Sequence, residues 1–228
     1  MDWAYELVCT GAVNSANDVP AWSNAAGRAW STLPGLSALD FYRPIAEGAN
    51  DPFNTDGPRP RFIAMMAFAS REALSEAIQS PEFALSLDDR PVGLSLTGSG
   101  FERRFYPVAD ETAPGPLTAP FSYVVRYYKP AEDEAEFIRN YVDTHPPTLA
   151  KLPGIRSVMC YFPVPIAAND TAGAGYIIGN EVAFDDVAAF KAAMHSPVRQ
   201  ELRQHFHEFP HYSGLNTHFP MSRTRVVG

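Results

Sequence analysis

The chain has few cysteines, no excess of basic residues and no apolar run long enough to cross a bilayer. Its 228 residues include 2 Cys, both in strand-like runs, which predicts free buried thiols in a reducing compartment. The net charge of −8 argues against a nucleic-acid partner, which requires a basic face. The first residues lack the basic start and apolar segment of a secretory leader. We therefore expect a cytoplasmic protein that binds neither nucleic acid nor a membrane.

Several catalytic motifs are also missing. Gly98-Ser99-Gly100 is not followed by the Lys-Ser/Thr pair of a phosphate-binding loop. There is no Gly-x-Ser-x-Gly nucleophile elbow. No spacing of His and Cys matches a zinc template. The expected cofactor content is therefore none.

The chain contains a degenerate copy of itself. The segment 33–44 aligns without gaps on 152–163, and 67–81 aligns on 183–197. Two blocks in the same order and at nearly the same separation predict an internal duplication. The second copy holds every histidine of the chain, namely His145, His195, His205, His207, His211 and His218. Any chemistry is therefore expected in the second copy.

The boundary between the copies is predicted at residues 111–120, a segment with three Pro and one Gly that is typical of a linker. Residues 1–110 would form the degenerate repeat and residues 121–228 the second repeat. Two domains of about 110 residues agree with the usual size of a domain.

Hydrophobic patterning predicts the same order of elements in both copies, with a long loop in each at 44–60 and 163–175. In the second copy the order is strand, helix, two strands, helix, and then a further helical stretch and a last strand. The predicted ranges are 121–129, 132–145, 155–162, 176–184, 187–194, 198–208 and a segment within 211–226. In the first copy they are 4–10, 20–30, 36–42, 61–68 and 71–79. This is a ferredoxin-like, split βαβ pattern, so the fold class is α+β with two tandem repeats.

His145 is the leading candidate for catalysis. Phe137, Tyr141 and His145 follow at intervals of four on one apolar face of the predicted helix. Pro146 predicts that the helix ends there, because a proline disfavours helical geometry in the residue before it. Burial would favour the neutral imidazole and the negative helix end the cation, which predicts a base near neutrality. The alternative is a core histidine that bonds a backbone carbonyl.

The ordered motifs of the second copy resemble the EthD-like branch of the dimeric α/β-barrel superfamily. The resemblance rests on the residues of six short motifs, namely Tyr127, Phe137 with Tyr141, His145-Pro146, Leu152-Pro153-Gly154, Ala183-Phe184-Asp185-Asp186 and Ser196-Pro197. It implies that the antiparallel sheets of the two repeats pair into a barrel within one chain. It also implies a functional histidine at the place of His145, in a family linked to degradation operons. The first copy departs there, since Ala26 stands opposite His145, Trp22 opposite Tyr141 and Trp30 opposite Leu149.

Two charged residues stand inside predicted strands of the second copy. Glu181 alternates with Val182 and Phe184, which predicts that it faces the barrel interior, where it would orient His145 or another histidine. The alternative is a solvated position on an edge strand. Arg126 would hold an anionic or phenolic group, and its alternative is a salt bridge across the sheet.

Aromatic residues and the C-terminal histidines complete the predicted site. Tyr127 would support His145, and Tyr123 and Tyr161 would line an aromatic pocket, unless they are plain core. His205, His207 and His211 would border the pocket, because a helix over 198–208 makes the first two diverge and Pro210 separates the third. A metal site built from these histidines and His218 is the weaker alternative.

We therefore predict a cofactor-independent enzyme for an apolar aromatic or polyketide-like substrate. The reaction would be an isomerisation, cyclisation, dehydration or decarboxylation with His145 as acid–base residue. The alternatives are a non-catalytic module for a hydrophobic ligand, a haem or metal protein, and a cofactor-free oxygenase. The apolar small molecule is the expected partner. The chain would be a monomer or a homodimer, because the duplication satisfies the pairing within one chain while outer strands remain able to pair.

Overall fold

The structure of the chain, a computed structural model, describes residues 2–15, 17–45, 59–109, 119–166 and 173–228. Most of the predicted linker at 111–120 and parts of the predicted loops at 44–60 and 163–175 lie outside these ranges. Within them, no helix is long and apolar enough to cross a membrane.

The first half contains four strands and three helices. They are β1 (Asp2–Gly11), α1 (Asp18–Trp30), β2 (Leu36–Pro44), β3 (Phe62–Phe68), α2 (Arg71–Ile78), α3 (Pro81–Asp88) and β4 (Leu94–Tyr106). The five elements predicted for this half are all present. The sequence analysis did not assign α3 and β4, and β4 carries Gly98, Gly100 and Ser99 at positions where strands usually have β-branched or aromatic residues.

The second half repeats this order. Its elements are β5 (Phe121–Tyr128), α4 (Glu134–Leu149), β6 (Ser157–Val164), β7 (Tyr176–Phe184), α5 (Val187–Met194), α6 (Pro197–His207) and β8 (Asn216–Val227). The bounds of β7 and α5 agree with the predicted ranges. Asp186 determines the start of α5, because its carboxylate accepts a hydrogen bond from the backbone N–H of Ala189 at 2.8 Å.

The predicted end of α4 at His145 is wrong. The helix continues through Pro146 and Pro147 to Leu149. Each proline removes one backbone donor, but the last turn is retained by the 3.0 Å bond from the Ala150 N–H to the Pro146 carbonyl. Burial of Leu149 in the apolar core stabilises the same turn. His145 therefore lies one turn inside the helix and not at its negative end.

The eight strands form one closed antiparallel barrel in the order β1-β3-β2-β8-β5-β7-β6-β4, with β4 pairing back to β1. Each half contributes a four-stranded sheet with the same internal order, β4-β1-β3-β2 in the first and β8-β5-β7-β6 in the second. The sheets join through β2 with β8 and through β4 with β6. This confirms the predicted tandem ferredoxin-like fold. Every described strand has two neighbours in the same chain. The outer strands that were expected to remain able to pair with a second chain therefore already pair within this one.

Apolar side chains form three clusters. One lies between the first sheet and α1, α2 and α3, and a second lies between the second sheet and α4, α5 and α6. The third fills the barrel interior. The alternation along β5 follows from this arrangement, since Tyr123, Val125 and Tyr127 face the helices while Val124 faces the interior.

The same glycine turn occurs at equivalent positions of the two halves, as expected for a duplication. Gly35 and Gly154, which align in the two copies, both have a φ of 71° before the second strand of their half. A Cβ on Gly35 would lie 2.8 Å from the Cβ of Ala73, and one on Gly154 would lie 3.5 Å from that of Ala189. Ala73 and Ala189 also align, so both copies retained the same close approach of a turn to a helix.

Candidate functional site

The second half contains a pocket between the outer face of its sheet and the helices α4 and α6. An inner cavity of about 40 Å³ adjoins an outer cavity of about 200 Å³. Five residues line both, namely Tyr127, His145, Arg199, Leu202 and His218. The inner walls are otherwise largely apolar, and the outer cavity leads to the surface beside α6.

His145 reaches this pocket from the face of α4 that the sequence predicted to be apolar. Its ring stacks on Tyr141 with centroids 4.7 Å apart and lies 5.0 Å from the ring of Phe209. The side chain is only 6% exposed. Its Nδ1 atom is buried and has no hydrogen-bond partner among the described residues, a feature that calls for an explanation in a folded protein.

The environment of His145 maintains the imidazole in its neutral form. Burial, assisted by the neighbouring His205 and Arg199, lowers the pKa of His145 from 6.5 to about 3. The predicted base near neutrality is therefore wrong. The negative end of the helix, which was expected to raise the pKa of His145, lies one turn farther along, because α4 continues beyond His145.

The other histidine candidates lie at different distances from the pocket. The ring centroid of His205 is 6.1 Å from that of His145, and its Nδ1 atom is also buried without a partner within the described ranges. His207 lines the outer cavity, and His218 stacks on Tyr123 at 5.9 Å. His211 is exposed outside the lining and accepts a bond from the Glu132 N–H through its backbone carbonyl.

Tyr123 and Tyr127, two of the residues proposed for an aromatic pocket, line the inner cavity. Tyr127 packs at ring-centroid distances of 5.6 Å from Phe137, 5.4 Å from Tyr141 and 6.0 Å from Phe206. Burial raises the pKa of Tyr127 strongly, against the weaker opposite effect of Arg199. Its phenol is therefore protonated at neutral pH and able to donate a hydrogen bond.

Glu181 lies in the barrel interior, as its alternation predicted, but it does not contact a histidine. Its carboxylate accepts hydrogen bonds from Ser122 Oγ at 2.6 Å and Tyr161 Oη at 2.5 Å, and Arg223 lies at 3.1 Å. Tyr42 Oη of the first half donates to it at 3.1 Å. Burial alone raises the pKa of Glu181, but Arg223 and these hydrogen bonds outweigh it and leave the pKa below 4.5. The predicted role of orienting His145 is therefore not supported.

Tyr161 and Arg126 also face the barrel interior and not the pocket. Arg126 forms a buried ion pair with Glu6 of the first half, and its guanidinium lies 4.4 Å from the ring centroid of Tyr161. The contacts of Arg126 therefore agree with the alternative given in the sequence analysis, a salt bridge, and not with a ligand-binding position. Glu6 with Arg126 and Tyr42 with Glu181 join the two halves across the interior.

Several pocket residues were absent from the predicted site, and three of them are Asn180, Arg199 and Leu202. Asn180 on β7 donates through Nδ2 to Tyr141 Oη, while its Oδ1 atom is buried and has no partner among the described residues. Arg199 and Leu202 come from α6, where positions 199, 202, 203 and 206 fall on the face toward the sheet. The helical spacing of this stripe is the signal that could have found them.

The described residues hold no group of three or more His, Cys, Asp and Glu side chains arranged to bind a metal ion. His205, whose ring lies beside that of His145, lines neither cavity and contributes a single imidazole. The predicted divergence of His205 and His207 agrees with their places on α6.

Comparison with solved structures identifies the fold. A protein described as a candidate monooxygenase of Lactobacillus acidophilus NCFM matches 100% of this chain and 97% of its own, with 11% identity and a TM-score of 0.59. An anthrone oxidase-like protein matches 98% of this chain and 93% of its own, with 10% identity and a TM-score of 0.66. A candidate chlorite dismutase matches 98% and 94%, with 12% identity and a TM-score of 0.53.

The sequence comparisons give a narrower match. No curated protein sequence matches the chain significantly. The EthD domain model matches residues 129–209, a range that includes α4, β6, β7, α5 and α6 with His145 and Arg199. Residues 129–209 are therefore similar to the EthD domain, and the chain has a tandem fold of the dimeric α/β-barrel type.

Proposed function

We propose that the second half is a cofactor-independent enzyme that transfers a proton on an apolar aromatic or polyketide-like substrate. The observation that carries this proposal is His145, a buried imidazole whose Nδ1 atom has no partner among the described residues and whose ring lines both cavities. Its walls of aromatic and aliphatic side chains favour a planar apolar ligand.

The proposed step is the removal of an acidic C–H proton next to a conjugated carbonyl. The C–H bond breaks, the proton moves to a ring nitrogen of His145, and the electron pair passes to the carbonyl oxygen as an enolate or phenolate. The same proton then returns from His145 to another atom of the substrate, which completes an isomerisation and regenerates the neutral imidazole. The positive charge of Arg199 would stabilise the oxyanion, and Tyr127 would donate a hydrogen bond to it.

The low pKa of His145 limits the reaction to acidic protons. A base with a pKa of about 3 is charged only while a compensating negative charge is near, so the proton and the new oxyanion would form a close ion pair. Substrates whose anions are delocalised over aromatic rings meet this condition best. The inner cavity of about 40 Å³ would receive one edge of the substrate, and the outer cavity the remainder.

Anthrone is a suitable probe, because its ring methylene is acidified by a conjugated carbonyl. With oxygen removed, we expect the protein in deuterated buffer to exchange this methylene well above the buffer rate, as measured by mass spectrometry. His145→Gln should abolish the excess rate and retain the circular dichroism of the parent. His195→Gln, an exposed histidine at the end of α5, is the matched control and should exchange normally. Equal exchange by the parent and His145→Gln would refute the proposal.

Admitting oxygen to the same assay tests the oxygenase alternative. The names of the similar structures, anthrone oxidase-like and candidate monooxygenase, motivate it. The balanced reaction is anthrone plus O₂ giving anthraquinone plus water, and it consumes one O₂ for each quinone formed. Oxygen uptake above the rate of the uncatalysed reaction, without anaerobic exchange, would favour this alternative over isomerisation.

The non-catalytic alternative is favoured by one observation, the strongly lowered pKa of His145, which makes it a poor base. This alternative expects anthrone to bind without exchange or oxygen uptake. Binding measured by calorimetry, with His145→Gln retaining the parent affinity, would support it.

A further inference from the structure

We infer that the pocket selects aromatic anions, with the negative group held at the outer cavity by Arg199 and Arg203. This inference concerns the substrate class of the proposed enzyme and rests on the same pocket. It names a feature that the proton-transfer proposal does not require, since neutral substrates also carry acidic C–H bonds.

The first observation is the charge of the lining. Among the described residues, the two cavities together are lined by two arginines and three histidines and by no Asp or Glu. The chain as a whole carries a net charge of −8, so a lining without a carboxylate differs from the average surface. A basic concave site in an acidic protein concentrates anionic ligands and repels cationic ones.

The second observation is the placement of the two guanidinium groups. Arg199 and Arg203 are four residues apart on α6, which puts them on one face of the helix. Leu202, between them and 3% exposed, directs this face toward the sheet. Arg199 lines both cavities and Arg203 only the outer one. A carboxylate at the outer cavity would therefore meet two cations that recognise it through paired N–H donors.

The third observation fixes the orientation of the ligand. The inner cavity is bounded by aromatic and aliphatic side chains together with His145 and Asn180, and the Oδ1 atom of Asn180 has no partner among the described residues. An amide oxygen repels a carboxylate and accepts a hydrogen bond from a hydroxyl group. The ring of the ligand would therefore point inward and its charge outward, toward Arg199.

The test compares two probes of nearly equal shape, 2-naphthoate and 2-naphthamide, by isothermal titration calorimetry at neutral pH. We expect 2-naphthoate to bind the parent protein at least about tenfold more tightly, the size expected for a charge-assisted hydrogen bond. Arg199→Met should remove most of this preference and leave the affinity for 2-naphthamide within about twofold. Arg203→Met should reduce it less. Arg139→Met, which removes one exposed charge of α4 outside the lining, is the control and should retain the parent preference.

Equal affinity for the two probes, or no binding of either, would overturn the inference. So would a preference for 2-naphthoate that survives both Arg199→Met and Arg203→Met. If Arg199→Met does not fold, Arg199→Gln with Arg203→Met decides the same question, since both remove a charge and retain a long side chain at these positions. Because the assay measures binding and leaves His145 intact, it separates this inference from the proposed reaction. A preference for 2-naphthoate without anthrone exchange would support the anion site and refute the proton transfer. Anthrone exchange without such a preference would support the proton transfer and refute the anion site.

Discussion

The two halves of the barrel share one arrangement of strands and helices, but they differ in the side chains that fill the space between the sheet and the helices. Both use the same strand order, and both have a glycine at a φ of 71° packed against an alanine of the following helix. In the first half the space beside α1 is filled by Trp22 and Trp30. In the second half the corresponding space beside α4 contains His145 and a pocket.

The filling of the first half is a network of rings with their polar atoms satisfied. Trp30 is fully buried, and its Nε1–H donates to Ser86 Oγ at 2.7 Å. Trp22 packs edge-on against Trp30 at 6.0 Å and donates to the Ser86 carbonyl at 3.2 Å. In the second half, by contrast, His145 and Asn180 retain atoms without partners among the described residues. Unsatisfied polar atoms are costly in a core, and the two that belong to the pocket lining mark it as a candidate ligand site. Four others among the described residues, including Arg103 Nη1 of the first half, lie outside this lining.

The largest expected difference between the halves is the cost of removing a side chain that aligns in the two copies. Trp30→Ala should lower the free energy of unfolding by about 3–5 kcal/mol, because it empties a packed core. Leu149→Ala should cost about 2 kcal/mol, because Leu149 already borders a cavity that can relax. Urea unfolding followed by circular dichroism gives both values. A larger loss for Leu149→Ala than for Trp30→Ala would mean that the second half is the better packed one.

The pH dependence of stability separates the halves next, because every histidine lies in the second. The folded protein binds a proton at His145 only near pH 3, whereas the unfolded chain binds it near pH 6.5. The unfolded state therefore holds more protons between these values. This contribution to stability is complete above pH 6.5 and falls by about 1.4 kcal/mol per pH unit below it.

Unfolding of the parent and His145→Gln at several pH values between 6.5 and 4.5 isolates this slope. The variant should lack it, and the difference between the two proteins should grow as the pH falls. Below 4.5 the lowered pKa of Glu181 adds a second loss in both proteins, since this carboxylate takes up a proton in the unfolded chain before it does so in the folded protein. His195→Gln controls for the removal of an exposed histidine. Parallel curves for the parent and His145→Gln would show that the imidazole is solvated.

The parts of the fold that were predictable from the sequence are those encoded locally. The range of β7 was predicted because an aromatic and β-branched run is bounded by a Gly and by two Asp, and α5 because Asp186 caps it. The end of α4 was not predictable, because the burial of Leu149 against distant residues stabilises two prolines within the helix. The same burial accounts for the error in the pKa of His145.

For the site, the sequence predicted the positions of individual side chains but not the contacts between them. Alternation placed Glu181 inward, but its partners Tyr42 and Arg223 come from strands far away in the sequence. Nothing local tells which residues meet across a closed barrel. Arg199 was missed for a similar reason, since an arginine on a polar helix is ordinary until the helix is seen to cover an open pocket. The sheet faces followed from periodicity, while the contacts between elements required the tertiary structure.

Exchanging the aligned residues of α1 and α4 gives the smallest effect and the sharpest test of the comparison. Ala26→His should destabilise the protein by about 1–3 kcal/mol, because it forces an imidazole into a core with no space and no partner. His145→Ala should change stability by less than about 1 kcal/mol, because removing an unpartnered polar atom offsets the lost packing. Thermal or urea unfolding measures both. A loss above about 2 kcal/mol for His145→Ala would make His145 a core residue like its counterpart Ala26. The pocket would then be a packing defect of the second half, because a histidine retained for chemistry is one whose removal the fold tolerates.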